Sequence, residues 1–244
     1  MAAAVVISAG LYLFSRLRIP PVKLLVIPEG YTMVQIDELL AQNGILEAGA
    51  LINFEIEEVR NDYWFLEGAK NLEGFLFPDT YEFFLNSSPE AVVRKFLDNF
   101  KKKAGPSLPG DWEQAMEIII MASIIEKEVP DFNDDRPLVS GLLWKRLRSD
   151  MPLQVDAAIC FIKNPAGCGD ISPVDLKIDS PYNTYLYRGL PPGPISNPGL
   201  SAISAALHPK GSPFWYYISH PQTKKTIFAE TLDEHQQNIV KYLK

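Results

Sequence analysis

The chain has 244 residues, enough for one substantial domain and a smaller one. Hydrophobic residues make up 47% and charged residues 22%, the balance of a folded globular protein. With 23 Lys plus Arg against 30 Asp plus Glu, the net charge of -7 gives no electrostatic reason to bind a nucleic-acid backbone. The histidines, His208, His220 and His235, lie far apart, and Cys160 and Cys168 lack metal-ligand spacing, so no metal site is expected. One disulfide is possible; the plainer reading of the two cysteines is free thiols in or near a loop.

Met1 to Phe14 is apolar except at Ser8, and Arg16 and Arg18 follow. A spanning helix needs about 20 apolar residues, and no positive charge precedes the run as it does in a signal peptide. Residues 1–19 are read as a partial membrane anchor, with a buried N-terminal helix as the alternative. After Ile19-Pro20-Pro21, Leu24 to Ile27 reads as a short strand. Thr32 caps a helix with Ile36, Leu39 and Leu40 on one face, closed by Asn43-Gly44. A second short helix is expected near Glu47.

From Leu72 to Phe83 the chain is aromatic and irregular. Pro89 opens a helix to about Lys103, and Lys101 to Lys103 is a solvated helix end. Asp111, with Gln114 three residues on, caps the longest apolar segment. Trp112 to Val129 is predicted as a buried core helix of about five turns, stopped by Pro130. Asp135 and Pro137 open another helix, with Leu138, Val139, Leu142, Leu143 and Leu147 on one face. In the loop 189–199, seven of eleven residues are Pro or Gly. Asn197-Pro198 starts a short helix, Phe214 to Ile218 and Thr226 to Phe228 read as paired strands, and a polar helix begins near Leu232.

The buried helix ends Ile124-Ile125-Glu126-Lys127-Glu128-Val129-Pro130. At about 100° per residue, Glu128 shares a face with Met121, Ile124 and Ile125, while Glu126 lies beside Ile119, Ala122 and Ser123. The negative end of the helix dipole and apolar neighbours both disfavour a charged carboxylate there. Such a glutamate stays protonated to higher pH, which suits a general acid for glycosidic cleavage. The competing reading pairs Glu126 or Glu128 with Lys127, Arg136 or Arg146. Tyr182, Asn183, Thr184 and Tyr185, followed by the Pro/Gly loop, supply ring faces and amides of the kind that bind sugars, or form a purely structural loop.

Five segments in order resemble the YceG-like family of endolytic murein transglycosylases: Leu72 to Tyr81, Met121 to Glu128, Leu153 to Asp156, Pro181 to Tyr185, and Gly189 to Gly199. The resemblance implies an α+β architecture, with a small LysM-like α/β subdomain at 22–66 and a mixed, helix-rich catalytic domain at 67–244 carrying a short antiparallel sheet. It implies Glu128 as catalytic residue, with Glu126 as fallback. Glu126, Gln154, Asp156, Tyr182, Asn183, Thr184 and Asn197 are assigned to substrate binding. It further implies a bacterial, membrane-anchored enzyme on the periplasmic or extracellular side, acting on peptidoglycan glycan strands without a cofactor, with cell-wall synthases as candidate partners. The rivals are a muramidase-type hydrolase, using Asp156 or Asp179 as second carboxylate, and a non-catalytic glycan-binding scaffold.

Overall fold

A computed structural model of the chain describes residues 21–129 and 135–243. The anchor expected at 1–19 and the Pro130 helix stop lie outside the described residues. No helix among the described residues is long and apolar enough to cross a membrane. The fold is helix-rich α+β, with two separate two-stranded antiparallel sheets.

Strand β1 (Val22–Val26) pairs with β2 (Thr80–Phe84), from Val22 opposite Phe84 to Val26 opposite Thr80. β2 was hidden in the aromatic run, although its alternation is regular: Tyr81 and Phe83 point inward and their neighbours outward. Because β2 lies beyond residue 66, the sheet crosses the boundary expected between the two domains. Helix α1 (Met33–Gln42) starts with a capping box, in which Thr32 accepts from the Gln35 amide and Gln35 bonds back to the Thr32 N–H. No second α-helix forms near Glu47. The buried Asp37 carboxylate accepts the Gly49 and Leu51 N–H groups, at 2.7 and 2.8 Å, and bends that segment into turns. Three short 3-10 turns follow, between Ile56 and Leu66.

Helix α2 (Pro89–Lys103) is capped by Ser88 and buries Val92, Val93, Phe96, Leu97 and Phe100. Phe100 meets Phe65 and Phe75, with ring centroids 4.7 and 5.4 Å away. The closing lysines Lys101 to Lys103 are all exposed, as a solvated helix end would be, and Lys103 also reaches Asp79 at 2.6 Å. Helix α3 (Trp112–Glu128), capped by Asp111, is the spine of the core, and Ile119 to Ile125 are all buried. Helices α4 (Arg136–Arg148), α5 (Asp156–Lys163) and α6 (Leu200–Leu207) pack against it. Strands β3 (Tyr216–Ser219) and β4 (Thr226–Ala229) form a hairpin, and helix α7 (Leu232–Leu243) lies against both.

The loop 189–199 packs on α3 from Gly193 to Gly199, where every residue is buried. The Ile195 N–H donates to Ser123 Oγ at 3.0 Å, and Ser196 Oγ donates to the Ser123 carbonyl at 3.1 Å. Gly74 sits where Pro194 and Ile119 approach: at φ 92°, a Cβ there would lie 2.5 Å from the Pro194 ring. Beside it, Glu73 is buried and accepts from the Met33 N–H at 3.0 Å and from Asn197 Nδ2 at 2.8 Å. This one carboxyl joins the start of α1 to the Pro/Gly loop. Burial outweighs those hydrogen bonds and the nearby Lys127 charge, and pushes its pKa up to about 8.

A carboxyl whose folded pKa exceeds its unfolded value holds its proton more tightly when folded, so its contribution to stability is lost as pH rises through that interval. The urea midpoint is therefore expected to fall between pH 4.5 and about 8, and Glu73→Gln should flatten that fall. Asp79 and Asp175, both held near about 2 by lysine partners, titrate below this window.

Cys160 and Cys168 are joined by a disulfide, which corrects the free-thiol expectation. The eight-residue separation is bridgeable because the chain turns back after α5, which sequence spacing does not reveal.

Candidate active site

Two cavities open on either side of the C-terminal end of α3, and Glu128 and Asp156 line both. The larger, about 490 Å³, is walled by Arg146, Gln154, Tyr185, Tyr216, Tyr217 and one face of α7. The smaller, about 290 Å³, is walled by Thr32, Gln35, Phe161, Asn164 and the disulfide. Sharing both carboxylates, they form the two halves of one groove with Glu128 at its waist.

Glu128 reaches this position because its α3 neighbours Met121, Ile124 and Ile125 are fully buried, so its own face runs out of the core into the groove. Tyr217 Oη donates to Glu128 Oε2 at 2.8 Å, and the Ala157 N–H at the start of α5 donates to Oε1 at 3.3 Å. The carboxyl makes no ion pair among the described residues. Burial raises its pKa above the ordinary glutamate value; the Tyr217 and Ala157 hydrogen bonds oppose this, as does Arg146, while Asp156 adds to it. Burial, then the Glu128 charge, holds the Tyr217 phenol well above its usual range, so it stays a donor. The group is a buried acid, fixed in orientation and open to a groove: the arrangement that proton donation to a leaving oxygen requires.

Glu126 is placed differently. Its Oε1 accepts from Arg136 Nη2 at 2.7 Å, with the two side chains 6% and 3% exposed, and its Oε2 accepts from the Gly199 N–H at 2.9 Å. It is a buried ion pair tying α3 to α4 and α6, and it lines neither half of the groove.

Of the other residues assigned to binding, Gln154 and Asp156 line the groove. Gln154 has the left-handed φ of 53°, unusual for a residue with a side chain, and its N–H is held by the Thr184 carbonyl at 3.1 Å. Asp156 Oδ1 accepts from Tyr185 Oη at 2.5 Å. Tyr182 lies behind the wall, its ring against Phe161 with centroids 5.2 Å apart.

Asn183, Thr184 and Asn197, expected to bind sugar, are buried, with side chains committed to partners within the fold. Asn183 Nδ2 donates to the Leu176 and Ile178 carbonyls. Thr184 Oγ1 accepts the Val155 N–H. Asn197 Oδ1 accepts the Gly74 and Leu76 N–H groups while its Nδ2 donates to Tyr31 O and Glu73. These side chains bond mostly to backbone groups, and none of the three lines either half of the groove.

Sequence reasoning named Arg146 only as a possible ion-pair partner of the glutamates and did not single out Tyr217, Tyr216 or His235 for the site. Arg146 donates to the Trp215 and Leu153 carbonyls, and its guanidinium lies over the Tyr216 ring at 5.3 Å. His235 stacks on the same Tyr216 ring, centroids 5.1 Å apart. No local signal marks Tyr217, which meets Glu128 across 89 positions of chain.

Tyr217→Phe removes a bond to the acid without opening the core. It is expected to lower kcat about 10-fold, the worth of one hydrogen bond to a charged group. That bond lowers the Glu128 pKa, so its loss should also move the alkaline limb of the pH–rate profile to higher pH. A profile that stays in place would remove Tyr217 from this role.

A model of the YceG-like family matches residues 9–241. The chain belongs to the YceG-like family. A YceG-like protein of known crystal structure, from Listeria monocytogenes, superposes on 90% of this chain and 76% of its own, with TM-score 0.76 and 32% identity. The endolytic murein transglycosylase of Streptococcus pneumoniae serotype 2 is 28% identical over 251 residues, covering 92% of this chain and 45% of that protein. The Bacillus subtilis strain 168 protein of the same name is 32% identical over 191 residues, 77% of this chain and 52% of that protein. This YceG-like chain thus spans about half the length of the curated relatives it matches.

Proposed function

We propose that this chain is an endolytic lytic transglycosylase that cuts the β-1,4 bond between N-acetylmuramic acid and N-acetylglucosamine in peptidoglycan. The observation carrying this reading is Glu128, a carboxyl in no ion pair among the described residues, held by Tyr217 and Ala157 at the waist of a two-sided groove and with its pKa raised by burial. Support also comes from relatives named as endolytic murein transglycosylases.

Protonated Glu128 donates to the glycosidic oxygen, and the substrate's acetamido group stabilises the oxocarbenium-like C1. The Glu128 carboxylate, held by Tyr217, then takes the proton of the muramic acid C6 hydroxyl, which closes on C1. The strand ends in a 1,6-anhydro ring, no water is consumed, and the acid is regenerated. On nascent strands this reaction would end elongation, with cell-wall synthases as partners. The disulfide supports a catalytic domain in an oxidising compartment outside the cytoplasm, and the apolar run from Met1 to Phe14 supports a membrane anchor at 1–19. The pairing of β1 with β2 around α1 supports a small LysM-like unit, its closing strand drawn from beyond residue 66.

One observation favours the hydrolase as second reading: Asp156 lines both halves of the groove with Glu128. Asp179 does not line it, and bonds to Tyr187 instead. Mass spectrometry of products from purified glycan strands separates the two. Anhydro ends are expected, whereas reducing ends would assign the chain as a hydrolase. Strands bound but left uncut would make it a scaffold.

A further inference from the structure

The smaller half of the groove is built differently from the rest of the site. Its wall is the segment 164–168, a loop with no regular structure, which by itself would have little to hold it against a ligand. Three attachments fix it. Cys168 is bonded to Cys160, one turn along α5 from Asp156, so the loop is tied covalently to the helix whose first turn holds Glu128. On its other edge, Thr32 Oγ1 donates to the Pro165 carbonyl at 2.7 Å, and Gln35 Nε2 donates to the Ala166 carbonyl at 3.0 Å. The same Thr32 and Gln35 form the capping box of α1, so the loop hangs between the disulfide and the start of the N-terminal helix.

Between them, α5 and this wall present the Phe161 ring, the Asn164 Nδ2 amide (its Oδ1 accepts the Ala166 N–H) and backbone, which suit the apolar face and hydroxyls of a sugar. The geometry points to the Cys160–Cys168 disulfide as the positioning element of a saccharide subsite on this side of the scissile bond, an assignment that rests on the transglycosylase reading. The bridge sets the distance between the 164–168 wall and α5, and thereby the width of the subsite. The shorter of the two bonds to the proton donor comes from Tyr217 of β3, outside the wall, and the other from the first turn of α5, one turn before the bridge. Opening the bridge should therefore weaken binding of glycan while leaving the chemical step nearly intact.

The test is steady-state cutting of peptide-free glycan strands of defined length by the oxidised chain, by the chain after reduction, and by the Cys160→Ser/Cys168→Ser double variant. The expected result is a KM raised about 10-fold with kcat changed less than about 2-fold, a split that marks lost uniform binding. Reoxidation of the reduced chain should restore KM, a reversal that damage to the fold would not show. An unchanged KM overturns the assignment, as does a loss of kcat at constant KM, which would place the bridge in service of the acid. Calorimetric binding of the same strands to Glu128→Gln protein, with the bridge closed or reduced, separates this inference from the reading beneath it. Bridge-dependent binding to this variant, together with a wild-type chain that cuts no strand, would keep the subsite and remove the transglycosylase; binding indifferent to the bridge would remove the subsite.

Discussion

Glu128→Gln is expected to reduce cutting of glycan strands about 10³-fold or more, within the range general acids contribute, and to leave the protein as stable as the wild type at neutral pH. Gln keeps the shape: its oxygen can accept the Ala157 N–H while its amide donates to the Tyr217 oxygen, but it has no acidic proton to give. Stability is preserved because the native carboxyl is itself costly to ionise where it sits. With its pKa raised by burial, Glu128 favours the folded state less as pH rises past its ordinary range, and a neutral amide escapes that loss. Rate and thermal melting measured on the same preparation check both halves. A variant that cuts normally would return the proton-donor role to another group.

Glu126→Ala should do the reverse. It removes the carboxylate facing the buried Arg136 guanidinium and the acceptor of the Gly199 N–H. Removing one partner of a buried ion pair costs about 3–5 kcal/mol. In a chain of this size that is a fall in Tm of about 10 °C. Below the new Tm, the folded fraction should cut strands at near the wild-type rate, since Glu126 lines no part of the groove. A folded but inactive Glu126→Ala protein would contradict the division of labour between the two glutamates.

That division marks where sequence reading reaches its limit. The helix α3, its Asp111 cap and the apolar company of Glu128 follow from local pattern, because capping and burial periodicity act within a few residues. Which glutamate is paired does not follow, because the decision rests on Arg136, whose approach depends on how α4 packs. The same holds for Asn197, Asn183 and Thr184. An amide in a polar, Pro/Gly-rich stretch reads equally well as a sugar ligand or a backbone clamp, and only burial separates the two. Strand β2 was legible in its alternation, but the aromatic residues before it share its composition and hide where the period begins. Near Glu47, helix propensity lost to the reach of Asp37 from the preceding helix. Tyr217 and the wall of 164–168 are tertiary in origin, with no mark in local sequence.

The account depends on a carboxyl that keeps its proton while facing the groove. Carbon-13 NMR of glutamate-labelled protein, with the Glu128 signal assigned by its disappearance in Glu128→Gln, reads that proton directly. The Glu128 carboxyl is expected to titrate above 4.5, and its midpoint should coincide with the alkaline limb of the cutting rate. A carboxyl that ionises at or below that value would contradict the assignment of Glu128 as the proton donor.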